Sequence, residues 1–288
     1  MAPRSAPILW LAVAGALAGF AANSLLTRAA VGPLLIDPVS FSEVRLAGGA
    51  LTLLALQRLR APSGAAGARR DGVFGAAALA VYAFAFAFAY TRIDAGVGAL
   101  VLFGAVQLTM LTWSVVSGER SVAVEWIGLA LALAGLIVLT RPGSSAPDLW
   151  GTVLMAAAGC AWGAYTLRGR NAGDALSRTA QSFLWAALAG AALVALSAGG
   201  VVWTPRGVLL AAASGAVASG VGYTLWYFAL PSLTAFRAAL LQLLVPLLTA
   251  MAAVPLLGER ISRRLVWASI LVLGGVALAA LAKGGRRR

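Results

Sequence analysis

Ten helix-length apolar runs, five on each side of a repeated break, leave this chain few ways to fold. Gly118-Glu119-Arg120 returns as Gly258-Glu259-Arg260, 140 residues later. In both places an apolar run precedes the triplet and another follows it, with Gly135 and Gly275 at matching positions. The same offset pairs Trp10 with Trp150, Gly19 with Gly159 and Arg28 with Arg168. A shared Trp, a shared Arg and a shared tripeptide at one spacing mark a duplication. A bilayer core needs about 20 apolar residues per helix. The runs meet that length at 8–29, 40–58, 72–91, 95–117 and 121–140, then at 149–168, 178–198, 206–229, 233–256 and 263–282. The longest connections are 60–71 and 141–148. The expected architecture is an all-α integral membrane protein, with a first repeat over 1–140 and a second over 141–288.

Five is odd, so the second copy starts on the opposite side of the bilayer and the repeats are inverted. Duplications of this kind build transporters whose site lies between the halves. The chain is 61% hydrophobic, with a mean hydropathy of +0.91 and only 11% charged residues, which excludes a soluble domain of this length. Its formal charge of +13 does not indicate nucleic acid, because the charges sit at helix ends and in short loops. Fourteen Lys or Arg residues fall on the N-terminal side and seven on the other, so the positive-inside rule puts both termini in the cytoplasm. That fits a bacterial inner membrane. The first run, from Ile8 to Leu26, leads straight into the repeat and reads as a mature helix. There is no His and one Cys, Cys160, so neither a disulfide nor a Cys/His metal site is expected, and no cofactor. The expected partners are the lipid bilayer and a small-molecule substrate, with the protein a monomer.

Few side chains can carry chemistry. Glu43 and Arg45 lie towards the outer end of the second helix, two residues apart and so not an obvious pair. Arg45 is read as a structural or gating residue, and Glu119 and Glu259 as turn anchors with local hydrogen bonds. The polar and aromatic residues at mid-depth are the candidate substrate contacts: Asn23, Tyr82, Gln107, Trp162, Tyr165, Tyr223 and Gln242. A lone amide in lipid must find a partner, so Asn23, Gln107 and Gln242 belong inside the bundle, as interhelical contacts or as substrate contacts. Trp162 and Tyr165 share a helix face and form an aromatic wall suited to a small amphipathic solute. Tyr90, Trp226 and Tyr227, at helix ends, read as interfacial belt residues. Pro246 is expected to kink the ninth helix beside Gln242 and serve as a hinge. The small-residue pairs Gly15/Gly19 and Gly159/Gly163, and the cluster Ser214, Gly215, Ser219, Gly220 and Gly222, allow close helix packing or sliding.

No carboxylate or His lies at mid-depth, which weakens a proton-coupled scheme, and no P-loop motif is present to drive transport with ATP. An intramembrane lipid-modifying enzyme would need a nucleophile or an acid/base pair at depth, and none is visible. A structural membrane partner is the third reading.

Two five-helix copies, each with a Gly-Glu-Arg turn before its last helix, resemble the EamA-type members of the drug/metabolite transporter (DMT) superfamily. Arg45 also looks like an arginine often found at that place in the family. Trp185 stands where it would recur, so the arginine serves one half only. Length, helix count and aromatic central residues are most similar to the YddG-type amino-acid exporters. The resemblance implies a basket-like ten-helix fold, no enzymatic activity and export of amino acids by alternating access, aromatic ones among them. Relatives that export other metabolites or drugs supply the alternative substrate class.

Overall fold

Two prolines mark helix starts on one face of the molecule. Asp37 precedes Pro38, and its carboxylate accepts from Ser40 N–H at 2.9 Å. Thr204 precedes Pro205, and its hydroxyl accepts from Gly207 N–H at 3.0 Å. Both are side-chain caps followed by a residue with no N–H to satisfy. The two caps meet: Asp37 N–H donates to Val202 O at 3.1 Å and Thr204 N–H to Leu35 O at 3.0 Å.

The computed structural model describes residues 6–59, 71–116, 123–140, 146–169, 174–196, 201–233, 238 and 241–284. Within them the helices are α1 (Ala6–Val31), α2 (Pro38–Arg58), α3 (Asp71–Tyr90), α4 (Ala95–Val116), α5 (Ala123–Thr140), α6 (Leu149–Gly169), α7 (Ala175–Leu196), α8 (Pro205–Ser232), α9 (Leu244–Leu257) and α10 (Arg263–Gly284). Among the described residues the chain is all-helical, with these ten helices. Among the described residues, α1, α2, α3, α7 and α8 are long and apolar enough to cross a membrane. Large apolar side chains lie exposed on the outside, including Leu11, Leu51, Leu196 and Met251. Such a surface suits a lipid surround. Gly118, Glu119 and Arg120 lie outside the described residues.

Contacts between loops give the direction of each helix. The α1–α2 loop meets the α7–α8 loop, Arg28 at the end of α1 meets Asp94 before α4, and Arg92 meets Asp148 before α6. These connections share one face, the outer one in the topology read from the sequence. On the opposite face, Gln57 at the end of α2 donates to Ser177 at the start of α7, at 2.9 Å. Successive helices therefore run up and down.

Helices pack mainly between the halves: α2 on α7, α5 on α10, α3 on α6, α4 on α9 and α1 on α8. Small residues set several of these contacts. Gly19 lies against Ala218 and Gly222, and Gly159 against the backbone of α4 at Leu102. The glycines matched by the repeat serve reciprocal contacts: Gly135 abuts Leu271 and Val272, and Gly275 abuts Gly128 and Ala132. A Cβ on Gly275 would stand 2.5 Å from Gly128 O and 2.8 Å from Ala132 N, both rigid backbone, whereas a Cβ on Gly274 would meet nothing within 4 Å. Gly275→Ala should therefore lower the thermal midpoint of the purified protein, with overpacking costing about 1–3 kcal/mol. Gly274→Ala should leave it unchanged or raise it slightly. Equal midpoints for the two variants would contradict this packing.

Two helices depart from regular form. The middle of α8, Ser214–Val221, is a π-helix. The expected single run 233–256 is interrupted at Leu243, and α9 begins at Leu244. Pro246 cannot donate to the carbonyl one turn earlier, at Gln242, so the ladder breaks there and Pro246 sits in the first turn of α9. The break is beside Gln242, as expected. It separates two helical pieces rather than bending one continuous helix.

Candidate functional site

Between the halves lies a cavity of about 440 Å³. It runs from mid-depth, at Asn23 and Tyr82, to the helix ends of the inner face, at Ala175, Arg178 and Leu233. All seven residues nominated from the sequence line it: Asn23, Tyr82, Gln107, Trp162, Tyr165, Tyr223 and Gln242.

Trp162 is its centrepiece. The indole stacks on Tyr165 (centroids 5.4 Å apart, planes at 25°) and on Tyr223 (5.3 Å, 19°), and lies 5.1 Å from Tyr82 at a tilt. These four rings come from α3, α6 and α8, so the wall spans both halves. The phenols are held by their tips. Thr179 donates to Ala175 O at 2.8 Å, and its Oγ1 lies 3.0 Å from the hydroxyls of Tyr165 and Tyr227. A rigid aromatic surface with polar edges accepts an apolar body and orients its polar end.

The upper end of the cavity is polar. Asn23 Oδ1 accepts from Ser214 at 2.8 Å and from Ser219 at 3.3 Å. These serines are five apart. An α-helix would turn them away from each other, and the π-helix brings both to one face through its i→i+5 spacing. Behind this wall is Arg45, 1% exposed, which donates to Tyr82 Oη at 2.8 Å and to Ser219 Oγ at 3.4 Å. It is the eighth residue of α2, about 10 Å along that helix. It therefore lies beside the cavity rather than at the outer mouth. Glu43 makes no ion pair with Arg45; its carboxylate faces Gly190 of α7.

On the outer face, the second Gly-Glu-Arg triplet forms a clasp that ties α9 to α4 and α1. Gly258 ends α9 in the left-handed conformation, φ +69°. Glu259 then reaches across to the start of α4 and accepts from Ala95 N–H at 2.8 and 2.9 Å and from Gly96 N–H at 3.4 Å. Its carboxylate also lies 3.6 Å from Arg28 of α1, which contacts Asp94 at 3.5 Å and donates to Tyr90 O at 2.8 Å. The expectation of a local turn anchor is thus corrected. The partners of Glu259 are more than 160 residues away in sequence, and a carboxylate at a helix N-terminus answers unpaired N–H groups and the helix dipole. Burial pushes the Glu259 carboxyl above the usual carboxylate range, only partly offset by the Ala95 hydrogen bond.

Three further expectations are corrected. Tyr90 is fully buried, with Gly98 lying against its ring, and Trp226 is 6% exposed. Trp226 and Tyr227 both line the cavity. Position at a helix end suggested a lipid interface for all three. Inter-helix burial overrides that signal, because the inner-face end of α8 borders the cavity mouth. Arg178, which also lines the cavity, carried no signal in the sequence beyond its place at a helix start.

Comparison with known proteins is consistent with this architecture. A model of the EamA-like transporter family matches residues 149–281. The chain is 50% identical over 272 residues to the uncharacterized protein PA1977 of Pseudomonas aeruginosa, covering 94% of each. It is 28% identical over 189 residues to an uncharacterized transporter of Archaeoglobus fulgidus, covering 62% of this chain and 65% of the relative. Over a shorter stretch of 73 residues, a quarter of each chain, it is 30% identical to the uncharacterized inner membrane transporter YedA of Escherichia coli. A solved crystal structure superposes with a TM-score of 0.66 at 21% identity, covering 94% of this chain and 96% of the other, which supports the fold.

Proposed function

We propose, for a chain that belongs to the EamA-like transporter family and is a membrane transporter, that its cargo is amino acids, aromatic ones among them. It would export them by alternating access through the cavity between two inverted repeats. One observation carries this reading. The cavity has a stacked aromatic wall and an amide-bearing end and reaches the helix ends of the inner face, while at the outer face the Glu259 clasp ties α9, α4 and α1 together. A site accessible from one side and sealed on the other is one half of an alternating-access cycle. The reciprocal packing of α2 on α7, α5 on α10 and α4 on α9 supports the inverted repeat. The arginine and lysine count supports cytoplasmic termini in an inner membrane, and with them a cavity opening to the cytoplasm.

The amino acid's side chain would lie on Trp162 and Tyr82, with Asn23, Gln107 and Gln242 at its polar groups. Among the described residues no Asp or Glu lines the cavity, which supports a cycle that runs on the substrate's own gradient. Proteoliposomes holding only this protein should take up labelled phenylalanine, tryptophan and leucine whether or not a proton gradient is imposed. Uptake that appears only with the gradient would contradict the facilitative cycle. No uptake of any amino acid by folded protein would move the substrate to another metabolite.

A further inference from the structure

Arg45 is a buried guanidinium, a group that can only donate hydrogen bonds. It is 1% exposed and lies 5.0 Å from the ring centroids of both Tyr82 and Phe86. No carboxylate comes within ion-pair distance of it among the described residues, and its Nη1 is buried with no hydrogen-bond partner. An unneutralised charge at this depth is costly, and the Tyr82, Phe86 and Asn23 wall separates it from the cavity.

Its donations fix the protons around it. Tyr82 Oη accepts from Nη2, so the phenol's own proton is left to be given elsewhere. Ser219 accepts from Nε and passes its proton to Asn23 Oδ1, which also accepts from Ser214. The amide oxygen of Asn23 is thereby occupied, and its N–H2 group is turned away from this network. Tyr82 and Asn23 both line the cavity, which thus receives donors with a positive charge behind them. Among the described residues, Arg178 at the inner mouth is the one charged residue in the lining, and it is cationic.

We propose that this end of the cavity is a carboxylate receptor: the substrate's carboxylate accepts from Tyr82 O–H and Asn23 N–H2 and supplies the counter-charge Arg45 lacks. The substrate class is then monocarboxylates with an apolar or aromatic body. This rests on the transport reading and sharpens it, because it makes the carboxylate the required group and the amine dispensable. The competing chemistry is an ammonium held on the faces of Trp162 and Tyr223.

Three probes separate these chemistries on one scaffold: phenylalanine, 3-phenylpropionate, which lacks the amine, and phenethylamine, which lacks the carboxylate. Binding to the full chain in nanodiscs is read by tryptophan fluorescence. 3-Phenylpropionate should bind at least about tenfold tighter than phenethylamine, as a charge-assisted pair of hydrogen bonds requires. Tyr82→Phe, which keeps the ring, should bring that ratio towards one, while Arg45→Lys should retain it. Phenethylamine binding as tightly as 3-phenylpropionate to the native protein overturns the proposal, and so does failure of both carboxylates to bind. A preference unchanged in folded Tyr82→Phe also overturns it. Binding of 3-phenylpropionate without phenylalanine upholds the carboxylate receptor and removes the amino-acid reading alone.

Discussion

Trp162→Ala is expected to lower the initial rate of amino-acid transport by at least about tenfold. An aromatic substrate ring laid on the indole makes a contact that contributes roughly 0.5–1.5 kcal/mol beyond buried area. Together with the apolar area buried on the indole, its loss exceeds the roughly 1.4 kcal/mol that separates a factor of ten. The fold should survive, because Trp162 is only partly buried and borders an existing cavity. Removing the ring enlarges that cavity instead of leaving a sealed void in the core. Transport by the variant is to be measured beside its thermal midpoint. An unchanged rate would take Trp162 out of the substrate site.

Glu259→Ala should have a comparable effect on a different observable, the accessibility of the cavity from outside. The substitution strips the start of α4 of its carboxylate and removes one of the two carboxylates beside Arg28. Hydrogen bonds to a charged group contribute about 1.5–3 kcal/mol, so the closed outer face should lose population by about tenfold or more. The readout is a single cysteine at Ser24, which lines the cavity, in a Cys160→Ser background. A membrane-impermeant thiol reagent applied from the periplasmic side should label it faster in Glu259→Ala than in the parent. Equal labelling would show that the clasp does not close the outer face. The clasp should also respond to pH. Its carboxyl is more basic buried than it would be in water, so the closed arrangement binds the proton more tightly. That stabilisation is complete below the ordinary carboxylate value and is lost as pH rises through the raised one. Labelling of the parent should therefore increase with pH across that window, and Glu259→Gln should abolish the dependence.

Much of the fold was legible because a bilayer allows few solutions. Length and hydropathy identify ten runs, and ten helices are found among the described residues. The cavity residues could be nominated for the same reason. An amide or a phenol at mid-depth has nowhere to go but the interior, and all seven nominees line one cavity. What stayed hidden depends on contacts across the repeats. Glu259 looks local until α4 is placed beside it. Tyr90 and Trp226 look interfacial until α4 and the cavity mouth surround them. The π segment of α8 has only a weak trace in sequence, the five-residue spacing of Ser214 and Ser219. That spacing has meaning only once Asn23 is seen between them.

Counterflow separates a carrier that alternates from every other explanation of this cavity. Proteoliposomes preloaded with unlabelled phenylalanine and diluted into a trace of labelled phenylalanine should accumulate label transiently above the outside concentration. Each return of the site to the outside would then be hastened by cargo carried outward. Label that only equilibrates, at a rate indifferent to the internal load, would mean that the cavity is a passage open at both faces or a pocket that moves nothing.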